Sequence, residues 1–282
     1  EEANNAQQNF MSKMSHEMRT PLNGIIGISK LLDSTELNHD QTEYVDIINS
    51  QSNILLNLIN DVLDISKIQS DNFNLVQFPF DLFNTIQVVV NSMKYQATQK
   101  GINLSLKFDD KIEKTVMGDH VRMSQIITNL VNNAVKFTDD GEVTINVNLL
   151  EKRKGGQTLE IRIKDSGIGI DKKNQKAIFD RFKQAEETIS RTYGGSGLGL
   201  YITKEIVTKM DGEISLISSP NKGSEFILKI SFDKATSIKS ENKEISSVDL
   251  SNINILVVED NEVNVLYIES ILRKRNANVD VA

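Results

Sequence analysis

The stretch QIITNLVNNAVKFT, residues 125–138, decides how the middle of this chain is read. Met123, Ile127, Leu130 and Ala134 recur at helical spacing, so one face of a helix starting at Asp119 packs inward. The same spacing groups Arg122, Asn129, Asn133 and Lys136 on another face. Asparagine is a mediocre helix former because its side chain competes for the backbone, so two of them one turn apart ask for a reason. A water-exposed polar face is the plain one. A carboxamide oxygen also suits Mg²⁺, and a lysine suits a polyphosphate as a point charge.

Two glycine clusters follow. DSGIGI, residues 165–170, sits at the end of an alternating strand pattern, where glycine lets the backbone approach a ligand closely; alone it reads equally as a tight turn. GGSGLGL, residues 194–200, places four glycines directly before a helix, so free amides and the helix dipole face any bound phosphate. Alone it is also a flexible loop. No Gly-Lys-Ser/Thr follows, which excludes a P-loop, and the cluster does not open a Rossmann unit.

At the other end, MSHEMRTPLNGI occupies residues 14–25. Met11, Met18, Ile25 and Leu32 recur every seven residues with Met14, Pro21 and Ile28 between them, which predicts a helical seam bent near Pro21. His16 then lies on the outward side, one turn before Thr20 and flanked by Glu17 and Arg19. A neutral imidazole is a competent nucleophile whose proton an adjacent carboxylate can accept. A solvated surface pair has the same appearance. A zinc-protease HExxH is excluded, because Thr20 stands where the second histidine belongs.

A second stripe, Tyr44, Ile48, Gln51, Leu55, Leu58, Val62, Ile65 and Gln69, follows a polar turn at 33–40. Two helices this apolar cannot bury both faces against each other, so a second copy and a dimeric four-helix bundle are expected. Residues 1–70 form that unit, and 71–80 a linker or edge strand. Residues 81–234 carry helices at 81–100, 119–136, 171–179 and 197–210 and strands at 102–108, 143–150, 158–164, 213–218 and 224–232, which make an α/β sandwich. Polar residues 235–252 suit a flexible linker. Residues 253–282, with ILVVEDNEVN at 255–264, read as the opening of a doubly wound α/β domain. There Glu259 and Asp260 at a strand's carboxyl end suit Mg²⁺ or form an ordinary acidic turn. The ends read as a polar helix already under way and a strand just begun, so the chain is expected to be a fragment.

The bulk composition bounds the rest. Over 282 residues the formal charge is −7, which disfavours a nucleic-acid partner, since phosphate neutralisation needs a basic surface. The absence of cysteine removes thiol nucleophiles and thiolate metal sites. No apolar run reaches membrane-spanning length, so a cytoplasmic location is expected for this part, with membrane attachment elsewhere left open.

SHEMRTPLNGI resembles the phosphoacceptor box of the histidine kinase family. The asparagine helix, DSGIGI, IFDRFKQA (178–185) and GGSGLGL, in that order, resemble the family's ATP-binding domain. The resemblance covers nearly the whole chain and implies an ATP-dependent kinase that phosphorylates itself on His16. Glu17 is then the base, and Thr20 positions water when the enzyme runs as a phosphatase. It further implies that Asn133 binds Mg²⁺ with support from Asn129, and that Lys136 contacts phosphate. Asp165 bonds the adenine amino group, Gly167 and Gly169 line the base pocket, and Gly195, Gly197, Leu198 and Gly199 hold the triphosphate. Phe179 and Phe182 anchor a mobile lid running from about 183 to 196. Where the family often has a threonine near the base, this chain has Ser224, which keeps the hydroxyl. The tail resembles the start of a receiver domain, implying a hybrid kinase whose partners are a second copy and a receiver domain of its own chain or another. The receiver's phosphoacceptor aspartate would lie beyond residue 282.

The same nucleotide fold resembles that of type II topoisomerases, heat-shock chaperones and mismatch-repair ATPases. Those carry a water-activating glutamate one turn before the magnesium asparagine, and here that position is Asn129. A scaffold without catalysis and an enzyme acting mainly as a phosphatase are the other readings.

Overall fold

The computed structural model describes residues 2–69, 73–183, 196–235 and most of 250–282; the side chains of residues 2–12, His16 and Gln69 lie outside that description. Phe73–Lys239 form one compact unit, with Glu1–Asn72 and Ser240–Ala282 outside it.

The first part is a helical hairpin. Helix α1, Glu2–Asp33, runs through Pro21, and α2 spans His39–Gln69. Asn38 starts α2 with a reciprocal cap: its Oδ1 accepts the Gln41 N–H at 2.9 Å, while Gln41 Oε1 accepts the Asn38 N–H at 3.0 Å. Among the described residues of α1, Ser15, Leu22 and Ser29, again seven apart, are buried together with Gly27, and those of α2 include Val45 and Ser52. Within one chain the small residues Ser15, Ser29 and Ser52 are buried in the hairpin, with Ser29 Oγ donating to Asn49 Oδ1, while the bulky stripe faces outward, where a second copy was expected. Met18, Ile25 and Leu32 are 51%, 50% and 44% exposed, and Tyr44, Ile48, Leu55 and Val62 on α2 are exposed as well. Thr20, Pro21, Ile25, Ile28, Leu32 and Ile48 line one shallow apolar groove.

Among the described residues, the compact unit is a seven-stranded mixed sheet carrying three α-helices. Its strands are β1 Phe78–Asp81, β2 Asn103–Phe108, β3 Thr115–Gly118, β4 Glu142–Arg153, β5 Gly156–Asp165, β6 Glu213–Ser218 and β7 Ser224–Lys234. They run in the order β1-β3-β7-β5-β4-β2, with β6 also on β7. Only β2 and β4 pair in parallel. Period-two alternation aims Val143, Ile145, Ile161, Ile163, Leu228 and Ile230 inward, all nearly inaccessible to water. Against them pack α3 (Leu82–Gln99), α4 (His120–Lys136) and α5 (Gly199–Lys209), which contribute Leu82, Ile86, Met123, Ile126, Ile127, Leu130, Ile202 and Ile206. Asp81 caps α3 and Asp119 caps α4.

The edge strand allowed for at 71–80 is β1. β3 was not anticipated: four residues are too few for a period to show. Residues 172–176 form turns within the stretch 171–179 where a helix was expected, leaving a single 3₁₀ turn at Ala177–Phe179.

In the last part, β8 (Asn254–Val257) and β9 (Asn278–Val281) pair in parallel over a small core of Val257, Ala277 and Val279. Among the described residues, no helix is long and apolar enough to cross a membrane.

Candidate functional site

Helix α4 organises the site. Its inner face is the buried row predicted from spacing, and its polar face runs from Asn129 through Asn133 to Lys136. That is about 10 Å at the ordinary helical rise. At the Asn129 end, α5 begins. The Asn129 Nδ2 donates to Thr203 Oγ1 at 2.7 Å, and a Cβ on Gly199 would lie 2.4 Å from Asn129 Oδ1. Gly199 thus leaves room for the Asn129 carboxamide where the two helices meet. Asn133, half-buried in mid-face, has no side-chain hydrogen bond to the described residues. Burial pushes the Lys136 ammonium below the usual lysine range, and its Nζ lies 5.0 Å from the Phe137 ring.

At the far end of α4 lies the DSGIGI loop. Ile168 N donates to the Phe137 carbonyl at 3.2 Å, and a Cβ on Gly167 would come within 2.2 Å of that oxygen. Gly169, at φ +67°, has its missing Cβ 1.9 Å from the Ser219 carbonyl oxygen. The loop is thus held between the end of α4 and the β6–β7 turn. Asp165 is buried, and its Oδ1 accepts the N–H of Gly167 at 2.9 Å and of Ser224 at 3.1 Å. Its Oδ2 accepts nothing from the described residues. Burial pushes the Asp165 carboxyl above the usual carboxylate range, opposed by those two amides. Ser224 Oγ lies 2.9 Å from Ser218 Oγ, which accepts the Ile170 N–H at 2.8 Å. Gln175 Nε2 donates to the carbonyls of Ile170 and Ser218 at 3.0 and 2.9 Å.

The start of α5 differs from those of α2, α3 and α4. No side chain caps it: Leu198 stands at the N-cap, and Gly197 before it has φ +69°. A helix of this length with uncapped amides at a glycine-rich start is suited to an anion. Phe179 packs edge-on to Phe226 with ring centroids 6.3 Å apart. The Phe182 side chain is 70% exposed, its backbone abuts Gly197, and the segment at 184–195 that it was expected to anchor lies outside the described residues. Beside it the Arg181 guanidinium lies over the Tyr201 ring at 4.7 Å and donates to its hydroxyl at 2.6 Å. Arg122 also leaves the asparagine group. It stacks over Phe73 at 4.6 Å and donates to Gln125.

In the hairpin, His16 and Thr20 fall one turn apart on α1. Glu17 is exposed, 4.0 Å from Lys13 Nζ, and Arg19 donates to Asn60 Oδ1 of α2 at 3.0 Å. The His16 side chain, Gly195, and the Glu259–Asp260 pair lie outside the described residues. Thr203, Ser218, Gln175 and Tyr201 carry no local signature that would have marked them in the sequence.

Two family models match the chain. The His Kinase A (phospho-acceptor) domain matches residues 6–71, and the histidine kinase-, DNA gyrase B- and HSP90-like ATPase matches 118–234. Together they span more than half of the sequence. The chain belongs to the histidine kinase family. It is 43% identical over 236 residues to the signal transduction histidine-protein kinase BarA of Escherichia coli K12, a match covering 83% of this chain and 25% of that protein. It is 37% identical to the hybrid signal transduction histidine kinase K of Dictyostelium discoideum, across 100% of this chain and 24% of that one. The autoinducer 2 sensor kinase/phosphatase LuxQ of Vibrio vulnificus YJ016 is 34% identical, across 99% and 33%. This histidine kinase chain thus spans a quarter to a third of the length of these relatives. Full-length ShkA in complex with AMPPNP superposes with a TM-score of 0.65 at 27% identity, covering 97% of this chain and 55% of that one. The Acinetobacter baumannii histidine kinase AdeS, at 0.53 and 21% identity over 78% of this chain and 98% of that one, shares the fold.

Proposed function

We propose that this chain is the phosphotransfer core of a hybrid histidine kinase, which moves the γ-phosphoryl group of ATP to His16 and then to a receiver aspartate. The observation that carries the nucleotide reading is the Asp165 carboxylate. One oxygen is saturated by backbone amides while the other is left to accept an amino group, the arrangement an adenine edge needs. The residues also fit a magnesium nucleotide. Asn133 offers an uncommitted carboxamide, Lys136 a partly buried cation, and the start of α5 uncapped amides. Mg²⁺, when bound, neutralises and aligns the phosphates.

In this mechanism Asp165 and Ser224 orient the base against Gly167 and Gly169. Lys136 and the 195–199 segment hold the phosphates, and Asn133 holds the metal. Asn129 fastens α5 to α4 beneath them. Glu17 accepts the imidazole proton as the His16 nitrogen attacks the γ-phosphorus; the P–O bond to the β-phosphate breaks and ADP leaves. With Asn129 where related hydrolases carry a glutamate, water has no base there, which favours a protein acceptor. Thr20 positions water when the enzyme runs as a phosphatase, hydrolysing the phosphoryl group on its receiver partner. The exposed stripes of α1 and α2 suit a second copy, because fully burying each large apolar side chain is worth roughly 1.5–3 kcal/mol. The parallel β8–β9 pair and its core suit the opening of a receiver domain, with Glu259 and Asp260 as the start of its acidic pocket. A cytoplasmic location follows from this role.

The test is incubation with γ-labelled ATP and Mg²⁺, comparing the chain with His16→Gln. Label that is lost in acid, survives alkali and disappears in the variant is the expected result. Label that persists in the variant would remove His16 from its role.

A further inference from the structure

We infer that Lys100 is a positioning residue of the nucleotide site, supplied by a segment that neither family model covers. It lies outside both matched regions, 6–71 and 118–234, at the C-cap of α3. Its Nζ donates to three carbonyls at the end of α4: Val135 at 3.1 Å, Lys136 at 3.0 Å and Thr138 at 3.3 Å.

These contacts complete the end of the helix. A helix leaves its last carbonyls without intrahelical donors. Here Asn133 O accepts the Phe137 N–H, and Ala134 O accepts the Thr138 hydroxyl at 2.7 Å. Lys100 takes those of Val135, Lys136 and Thr138, and the Phe137 carbonyl in their midst accepts the Ile168 N–H. The one carbonyl Lys100 leaves alone is therefore the one on which the DSGIGI loop rests, with Gly167 packed on the same oxygen. An ammonium has three donors that can be met by three converging oxygens. It also offsets the negative end of the α4 dipole, which would otherwise face a polyanionic ligand held on the same helix. Without Lys100, three carbonyls lose this donor, the turn from 135 to 138 relaxes towards water, and the platform under Asp165–Ile170 shifts.

The inference rests on the nucleotide reading above and adds the group that holds its base loop in place. The experiment measures Mg-ATP affinity by calorimetry in the whole chain and in Lys100→Met, Lys100→Arg and the exposed control Lys94→Met. Amide hydrogen exchange of residues 165–170 is followed in parallel. In Lys100→Met, affinity should fall roughly three- to tenfold, a fraction of what charged hydrogen bonds are worth. Exchange in the loop should quicken, while the phosphorylation rate at saturating ATP stays within about twofold. Arginine, which keeps the charge and donors, should recover most of the affinity, and Lys94→Met should match wild type. If Lys100→Met does not fold, Lys100→Gln, which can still serve two carbonyls, carries the same test. A variant with lowered melting temperature but wild-type affinity and loop exchange overturns the inference. Failure of the wild-type chain to bind Mg-ATP would sink the nucleotide reading itself, and Lys100 with it.

Discussion

Asn129 and Thr203, 74 positions apart in sequence, are joined by a 2.7 Å hydrogen bond that fastens α5 onto α4. Asn129 and Asn133 look alike in the sequence, yet one carboxamide is committed to a neighbouring helix and the other is not. Replacing Thr203 by Val keeps the shape and leaves the Asn129 amide without its acceptor. Stability should fall by about 1 kcal/mol, seen in urea denaturation. Asn133→Ala should leave the denaturation midpoint nearly unchanged and abolish the Mg²⁺ dependence of nucleotide binding. A stable Asn133→Ala chain with normal Mg-ATP affinity would remove that residue from the metal's coordination.

Asp165→Asn should separate stability from binding. Burial raises the folded-state pKa of Asp165 above its unfolded value. Its contribution to stability is thus fully present below the unfolded pKa and is lost as pH rises through the folded pKa. The asparagine variant has no such loss, so it should gain on the wild type as pH rises from about 4, the unfolded carboxylate value, through the raised folded pKa, measured as the difference in melting temperature. ATP affinity should drop by roughly 10- to 150-fold at pH 7, since an amino group replaces the accepting oxygen and a charged hydrogen bond is lost.

The two loops should respond differently to an added methyl. In Gly169→Ala the new carbon meets the backbone oxygen of Ser219 and sits at positive φ, so a loss of roughly 2–3 kcal/mol is expected in thermal unfolding. In Gly199→Ala it meets the Asn129 carboxamide, a side chain that can swing away. The cost should then appear chiefly as weaker Mg-ATP binding and should shrink in an Asn129→Ala background, a coupling that a double-mutant cycle reads directly.

Charge on the outward stripe should prevent pairing of the hairpins. Ile25→Lys with Ile48→Lys, both on the apolar groove, should turn a dimer into a monomer in sedimentation velocity while helical content is retained. An unchanged mass would show that the second copy docks elsewhere.

The strands β2, β4, β5, β6 and β7, the helices α3, α4 and α5, and the buried row of α4 were all legible, because each carries a period long enough to show which face meets the core. So were the polar face of α4 and the glycine-rich DSGIGI loop packed against its end. β3 was not, since a four-residue strand is placed by its neighbours. The small-residue face at Ser15, Ser29 and Ser52, which is buried within one hairpin, was not legible, because polar small residues carry no hydrophobic period that would mark a packed face.

What the sequence determined by itself is the family and the reaction class, because the ordered motifs around His16, Asn133, Asp165 and Gly197 stand in the chain itself and resemble that family as they stand. What only the tertiary structure decided is which polar residues are committed to holding others. Asn129 on Thr203, Arg181 on Tyr201 and Lys100 on the end of α4 are pairings between distant segments. Nothing local distinguishes them from ordinary polar surface: a hydrogen bond depends on where the fold brings its second partner, and that is fixed by packing of the whole core.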